Sequence, residues 1–320
     1  MQDQLVWARA IHFGASMMLC GGLLFLFFIA EPCLRVASDP RIARRVRACL
    51  AALNWLCFAA VIVSGVAWPI LLAERMSEES FASVLADGTV WTVLSNTDFG
   101  QAWTVRLILS VALAALLALL REASSLGLRA AVLLVASALT GSLAWAGHAA
   151  ASAGALGVVH LIADVLHLIA AAAWLGALIP LAVLLMSLRR AETPAAVVAA
   201  REALRRFSPL GIVGVGTLIA TGAVNTFMLA GSIPALTATD YGRLLDVKIA
   251  LFLVMLSLGA VNRLWLSPRV APTIEATDRA AALGQIERNS LIEAVLGTAI
   301  VLIVGLLGTL PPGLADLAGN

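Results

Sequence analysis

Apolar residues in this chain come in long continuous runs separated by short charged clusters, rather than alternating with polar ones. A run of about twenty apolar residues spans the hydrocarbon of a bilayer as a helix. Eight such runs are present, near residues 5–29, 49–72, 102–120, 128–146, 156–187, 209–230, 245–266 and 291–310. Backbone polar groups find no water in lipid, so spans of this kind are helices that satisfy their own hydrogen bonds. The fifth is longer than a bilayer requires and is expected to tilt or to begin above the membrane. The pattern predicts an all-α polytopic membrane protein, one eight-helix transmembrane domain over residues 1–320.

The connections alternate in charge. Arg35, Arg41, Arg44, Arg45 and Arg47 follow the first span, and Arg121 and Arg129 lie between the third and fourth. Arg189, Arg190, Arg201, Arg205 and Arg206 follow the fifth, and Arg269, Arg279 and Arg288 follow the seventh. On the other side, the 73–101 connection sets Arg75 against Glu74, Glu78, Glu79, Asp87 and Asp98. Connection 147–155 has no Lys or Arg, and 231–244 has Arg243 alone. Basic loops stay in the cytoplasm, so both termini are expected to face the periplasm.

Composition agrees. The chain is 61% hydrophobic and 12% charged, with mean hydropathy +0.98, where a soluble domain carries about a quarter charged residues. The net charge of +2 gives no reason to expect a nucleic-acid partner. The first apolar run ends in small residues at Ile29-Ala30, but its positive charge follows the run, the reverse of a cleaved signal. Cys20, Cys33, Cys49 and Cys57 form no Cys-x-x-Cys pair, and Cys33 and Cys49 fall on the reducing side, so no structural disulfide is expected. Cys20 and Cys57 read as small core residues.

Candidate chemistry lies in the histidines. All four, His12, His148, His160 and His167, fall toward the outer half on this topology. Histidine and aspartate are costly within lipid and mark functional sites, and neutral imidazole is the commonest transition-metal ligand. His160, Asp164 and His167 are spaced i, i+4, i+7, on one helix face. The two histidines are about 10 Å apart along the axis, which suits two successive stations with Asp164 serving either. Asp164 could bind a metal directly or orient a ligating imidazole. Met17 and Met228 add soft sulfur at suitable depths, which would favour Cu(I). Arg106 or Lys248 could neutralise Asp164, or each could reach to the headgroups. Gly211, Gly214, Gly216, Gly222 and the Ala170–Ala173 run toward Gly176 predict close packing around spans five and six.

Several motifs then fall in order along the chain: Phe99-Gly-Gln-Ala-Trp103-Thr-Val-Arg106, Gly147-His148-Ala149, and His160-x3-Asp164-x2-His167 followed by Ala-Trp174-Leu-Gly176. After them come Arg206-Phe-Ser208, Thr221-Gly222-x2-Asn225, Tyr241-Gly242-Arg-Leu-Leu-x2-Lys248 and Asn262-Arg263. In these, and in its eight spans, the chain resembles the bacterial CopD/PcoD family of inner-membrane copper-handling proteins. The resemblance implies movement of copper ions between periplasm and cytoplasm, most often as uptake, with a separate periplasmic CopC-type copper-binding partner. It matches His12, His148, His160 and His167 facing the periplasm; with Asp164, Met17 and Met228 from the reading above, these are the candidate metal ligands. His160 and His167 would form the core and His148 the first contact.

No Walker A motif and no Asp-Lys-Thr-Gly segment occurs, so ATP-driven pumping by this chain is not expected, and it reads as a non-enzyme. No histidine or methionine-rich stripe continues to the cytoplasmic face. Rival readings are a b-type haem cytochrome with axial histidines on different helices, a metal-dependent membrane enzyme or copper-delivery assembly factor, and a metal-free structural bundle.

Overall fold

The computed structural model describes residues 2–122, 125–147, 154–230 and 233–311. Among them every regular element is helical, and eight helices are long and apolar enough to cross a membrane. They are α1 (Asp3–Ala37), α2 (Pro40–Ser77), α3 (Asp98–Leu120), α4 (Leu126–Ala146), α5 (Gly154–Arg189), α6 (Pro194–Ala230), α7 (Asp240–Arg269) and α8 (Ala276–Leu307). Each coincides with one expected run. Several reach further than the apolar run, because the arginine-rich flanks of α2, α6 and α8 continue the helix instead of forming loops. Two short helices, Phe81–Ala86 and Thr89–Asn96, fill the acidic connection between α2 and α3.

Local chemistry sets the helix starts. Asp39 accepts from the backbone N–H groups of Arg41 and Ile42 ahead of Pro40, Ser125 accepts from Leu128, and Thr239 accepts from Gly242. Each satisfies donors that a first turn leaves open. The regular ladder is interrupted inside three spans. α1 and α7 each contain a π-turn, at Leu26–Ala30 and Asn262–Leu266, and α5 breaks at Gly176-Ala177 before resuming at Leu178.

α1 and α5 are the most deeply buried spans. α1 packs on α2, α4, α5 and α8, and α5 packs on α6 and α8, while α7 lies outermost against α8. The expected tight packing of α5 on α6 is present at Gly214, which faces Ala170 and Trp174, and at Gly222, which faces His167. Gly211 and Gly216 face open space. The closest helix approach lies elsewhere, between α1 and α5. A β-carbon on Gly21 would strike the Ala172 carbonyl and come within 2.7 Å of the Gly176 α-carbon, and one on Gly176 would strike the Met17 carbonyl. Without side chains at these positions the two backbones touch, the usual basis of close packing where no hydrophobic force drives helices together.

The cysteines are all free, with Cys20, Cys33 and Cys57 buried and Cys49 exposed. At the end of the bundle carrying the arginines, Glu31 pairs with Arg47 at 2.7 Å and Glu287 with Arg189 at 2.9 Å.

Candidate metal site and its polar surroundings

The structure separates the expected ligands into two settings. In the first, α5 presents Asp164 and His167 toward α6 and α7. Asn225 on α6 donates through Nδ2 to Asp164 Oδ1 at 3.1 Å. Asp164 Oδ2 faces Gly147 at the end of α4, 3.8 Å from where a β-carbon there would sit. His148 follows Gly147 in the sequence and lies outside the described residues. Lys248 on α7 is near enough for its charge to bear on both Asp164 and His167, and Tyr241 is near enough to feel that of Asp164. Of the two cations that could neutralise Asp164, Lys248 is the one whose charge reaches it.

A hydroxyl chain fixes the state of the His167 ring. Thr221 Oγ1 donates to the Thr217 carbonyl one turn back at 2.6 Å, so its lone pairs face His167 Nδ1, 3.0 Å away. With the hydroxyl proton on that carbonyl, the ring donates to Thr221 from Nδ1, and Nε2 keeps its lone pair. This is how a ligating imidazole is normally held, its other nitrogen pinned by an oriented acceptor. Gly222 packs against the ring, and a β-carbon there would make an ordinary 3.5 Å contact with His167 Cε1. His160, one face with Asp164 and His167, is 1% exposed near the start of α5.

The second setting surrounds His12. Ser64 Oγ donates to the Ala60 carbonyl at 2.5 Å and receives the His12 Nδ1–H at 2.9 Å, the same device as at His167. Here, however, Nε2 is already taken: Arg106 donates to it at 2.6 Å. The guanidinium also donates to the Leu139 carbonyl at 2.7 Å and Ser142 Oγ at 2.6 Å, tying α1, α3 and α4 together. Trp68 and Trp103 flank the imidazole, with ring centroids 5.7 and 5.2 Å away, and Trp103 Nε1 donates to the Gly65 carbonyl at 2.8 Å. As it stands, His12 offers a metal no lone pair, and binding one would require Arg106 to leave. Arg106, expected beside Asp164, serves His12 instead.

Met17 is buried in the apolar core beside these tryptophans, and five residues along a helix place it ~140° around from His12. Met228 is half-buried, one turn beyond Asn225 on α6. Among the described residues no group of three or more His, Cys, Asp and Glu side chains converges so as to hold a metal ion. What α5 offers is a short row of donors along one face, consistent with sparse, successive contacts.

Sequence reasoning missed three groups here. Ser64 carries no signal, because mid-helix serines are common, and Thr221 stood in a motif without any sign of the role of its hydroxyl. Glu293 on α8 did carry one: it is an acid inside an apolar run, subject to the same argument as the histidines. It is 2% exposed.

Comparison with known proteins identifies the family of the chain. Residues 1–158 match the family described as Copper resistance protein D-like, N-terminal domain, and residues 201–307 match the one described as Copper resistance protein D. A Copper resistance protein D from Pseudomonas syringae pv. tomato is 34% identical over 228 residues, which is 69% of this chain and 71% of that protein. The chain belongs to the copper resistance protein D family. Within this family's reach also lies the Inner membrane protein YebZ of Escherichia coli (strain K12), 30% identical over 70% of this chain and 72% of its own length. The Copper transport protein CutJ of Bacillus subtilis (strain 168) is 33% identical over 57% of this chain, but this covers 33% of that longer protein. No solved structure matches the chain.

Proposed function

We propose that this copper resistance protein D family member moves copper ions across the bacterial inner membrane, importing them from the periplasm, and that the α5 face is where it takes them. Both termini and the histidine end of the bundle would face the periplasm, in keeping with the basic loops at the other end. A separate CopC-type periplasmic protein would deliver the ion. His148 would make first contact, and His160, Asp164 and His167 would form successive stations.

The observation that carries this reading is the Thr217–Thr221–His167 chain, which leaves Nε2 as a preset electron-pair donor beside an Asp164 held by Asn225. Membership of a copper family and a relative named for copper transport support the choice of ion. Met228 could complete a softer set for Cu(I). His12 and Met17 fit this site less well than their depth implied, since both nitrogens of His12 are engaged.

The test is metal analysis with an optical spectrum on the detergent-purified chain, with and without added copper. One or two copper ions per chain, lost in the His160→Ala/His167→Ala double variant, are expected. A haem spectrum would instead establish the cytochrome reading. Copper retained by the double variant would overturn the site.

A further inference from the structure

The α5 donors stop partway along the bundle, yet a second polar group continues below them. Trp174 lies seven residues beyond His167, about 10 Å further along α5. It packs with Leu178, Leu218 and Met255 into an apolar layer across α5, α6 and α7. Directly beneath that layer is Glu293 of α8. Trp174 Cζ2 and Glu293 Oε2 each lie 3.8 Å from the space that a β-carbon on Gly259 would fill. The glycine lets the carboxyl reach the underside of the plug.

Glu293 is held by carboxamides alone. Asn262 Nδ2 donates to its Oε1 at 2.9 Å, and Asn289 Nδ2 donates to Asn262 Oδ1 at 2.7 Å. Asn262 opens the π-turn of α7, a distortion found disproportionately at functional sites. Among the described residues Glu293 forms no ion pair. The other buried acid of α8 shows the contrast: Glu287 receives two hydrogen bonds from Arg189, both at 2.9 Å. The remaining charges on neighbouring helices point elsewhere. Arg263 of α7 is exposed and reaches the Ser208 carbonyl, Lys248 lies about 21 Å up α7, and Arg9 of α1 lies against Gly308 at the far end of α8. His167 of α5 is turned to Thr221 on α6.

We propose that Glu293 is an exchangeable proton site inside the membrane, and that its occupancy is linked to copper movement at Asp164 and His167. The link rests on the function proposed above. Ligand number selects the proton over a metal ion. Both functional atoms of the Asn262 side chain are committed, one to Glu293 and one to Asn289, so Asn262 adds no free ligand atom to the Glu293 carboxylate. A metal requires more donors than that, whereas a proton requires one. The proton adds to Oε2 while Oε1 keeps its bond from Asn262, and on release it passes to water. An unpaired ionisable group in this position is costly to a membrane protein and marks ion or proton pathways.

The experiment pairs two readouts on the full-length purified chain. Infrared difference spectra across a pH series report the protonated carboxyl band. Copper uptake into proteoliposomes over the same series reports the linkage. One carboxyl band is expected to vanish in Glu293→Gln and to shift in Asn262→Ser, the second variant serving if the first does not fold. Wild-type uptake should change several-fold as the band titrates, and that part of the pH dependence should be lost in Glu293→Gln. If no titrating band belongs to Glu293, the proton site is overturned while copper binding by the α5 face is unaffected. If Glu293→Gln keeps the wild-type pH dependence of uptake, the linkage is overturned. If wild type binds no copper by metal analysis, the proposed function falls, and the infrared band alone then decides for or against the proton site.

Discussion

Replacing Thr221 by valine removes one hydroxyl and leaves the volume almost unchanged, and its effect on copper can be worked from two distances. The hydroxyl donates to the Thr217 carbonyl at 2.6 Å and accepts from His167 Nδ1 at 3.0 Å. Losing the first costs little, because that carbonyl also serves the helix ladder. Losing the second leaves the Nδ1–H without its acceptor, at a net of about 0.5–1.5 kcal/mol, which the folded protein should tolerate. The larger consequence is for the ring. With valine, His167 can hold its proton on either nitrogen and turn about its side-chain bond, so Nε2 is no longer preset as a donor. Loss of such an orienting partner typically costs about 10–100-fold in metal affinity, or roughly 1.4–2.7 kcal/mol. The assay is competitive titration of purified Thr221→Val against a chelator of known copper affinity, with Thr221→Ser to restore the hydroxyl. Affinity for the serine variant should return to within a few-fold of wild type. Equal copper affinity in the valine variant and wild type would refute the assignment of His167 as a ligand held by Thr221.

Four further outcomes follow from the geometry. Asn225→Leu should lower copper affinity without unfolding the chain, since Asp164 loses the donor at 3.1 Å that aims its carboxylate; metal titration checks it. Arg106→Ala strips hydrogen bonds from His12, Leu139 and Ser142 together, each bond to a charged group being worth about 1.5–3 kcal/mol. Thermal unfolding in detergent should show a loss of at least about 3 kcal/mol. Gly21→Ala should block assembly, because its β-carbon meets the backbone of Ala172 and Gly176, whereas Gly211→Ala meets nothing within 4 Å and should express normally; size-exclusion profiles separate the two. A membrane-impermeant maleimide should label exposed Cys49 in inverted vesicles and not in right-side-out ones, and the opposite pattern would reverse the proposed orientation.

The fold was readable because its cause is one-dimensional. A span needs about twenty apolar residues in a row, and each of the eight runs became one helix of the bundle. Helix ends were less readable, since Arg41, Arg44, Arg45 and Arg47 mark a charged segment but do not say whether it is a loop or a helix outside the lipid. It is helical, started by Asp39. Contacts between spans depend on rotation about each axis, which a run of Leu and Ala does not encode. That is why Gly21 and Gly176 escaped notice as the closest crossing, while the more conspicuous Gly211 and Gly216 face open space. The α5 face was legible because its three polar residues share one helix, where spacing alone fixes geometry. His12 lies on another helix, and depth gave no information about which neighbour it would meet.

The two histidines show how similar local chemistry yields different roles. His12 and His167 each donate from Nδ1 to a hydroxyl that is itself tied to the carbonyl four residues back. Both rings are thereby held as the tautomer with an Nε2 lone pair. The difference is what faces that lone pair. At His12 it is a guanidinium that also clasps α4, so the imidazole becomes an acceptor in a structural knot. At His167 no such donor to Nε2 is present among the described residues, Asp164 lies one turn away on the same helix, and the charge of Lys248 reaches the ring. A cation approaching His12 meets a guanidinium bonded to the ring, whereas one approaching His167 meets the charge of Lys248 together with the carboxylate of Asp164, which offsets it. Swapping these environments is therefore more informative than deleting either ring: Arg106→Gln, which keeps donors but removes the charge, should leave the fold largely intact and make His12 accessible to copper. A second copper equivalent in that variant, abolished by His12→Ala, would show that the tautomer device is general and that the neighbouring charge decides which histidine binds. No additional copper would mean that the tryptophan box around His12 excludes the ion by packing alone.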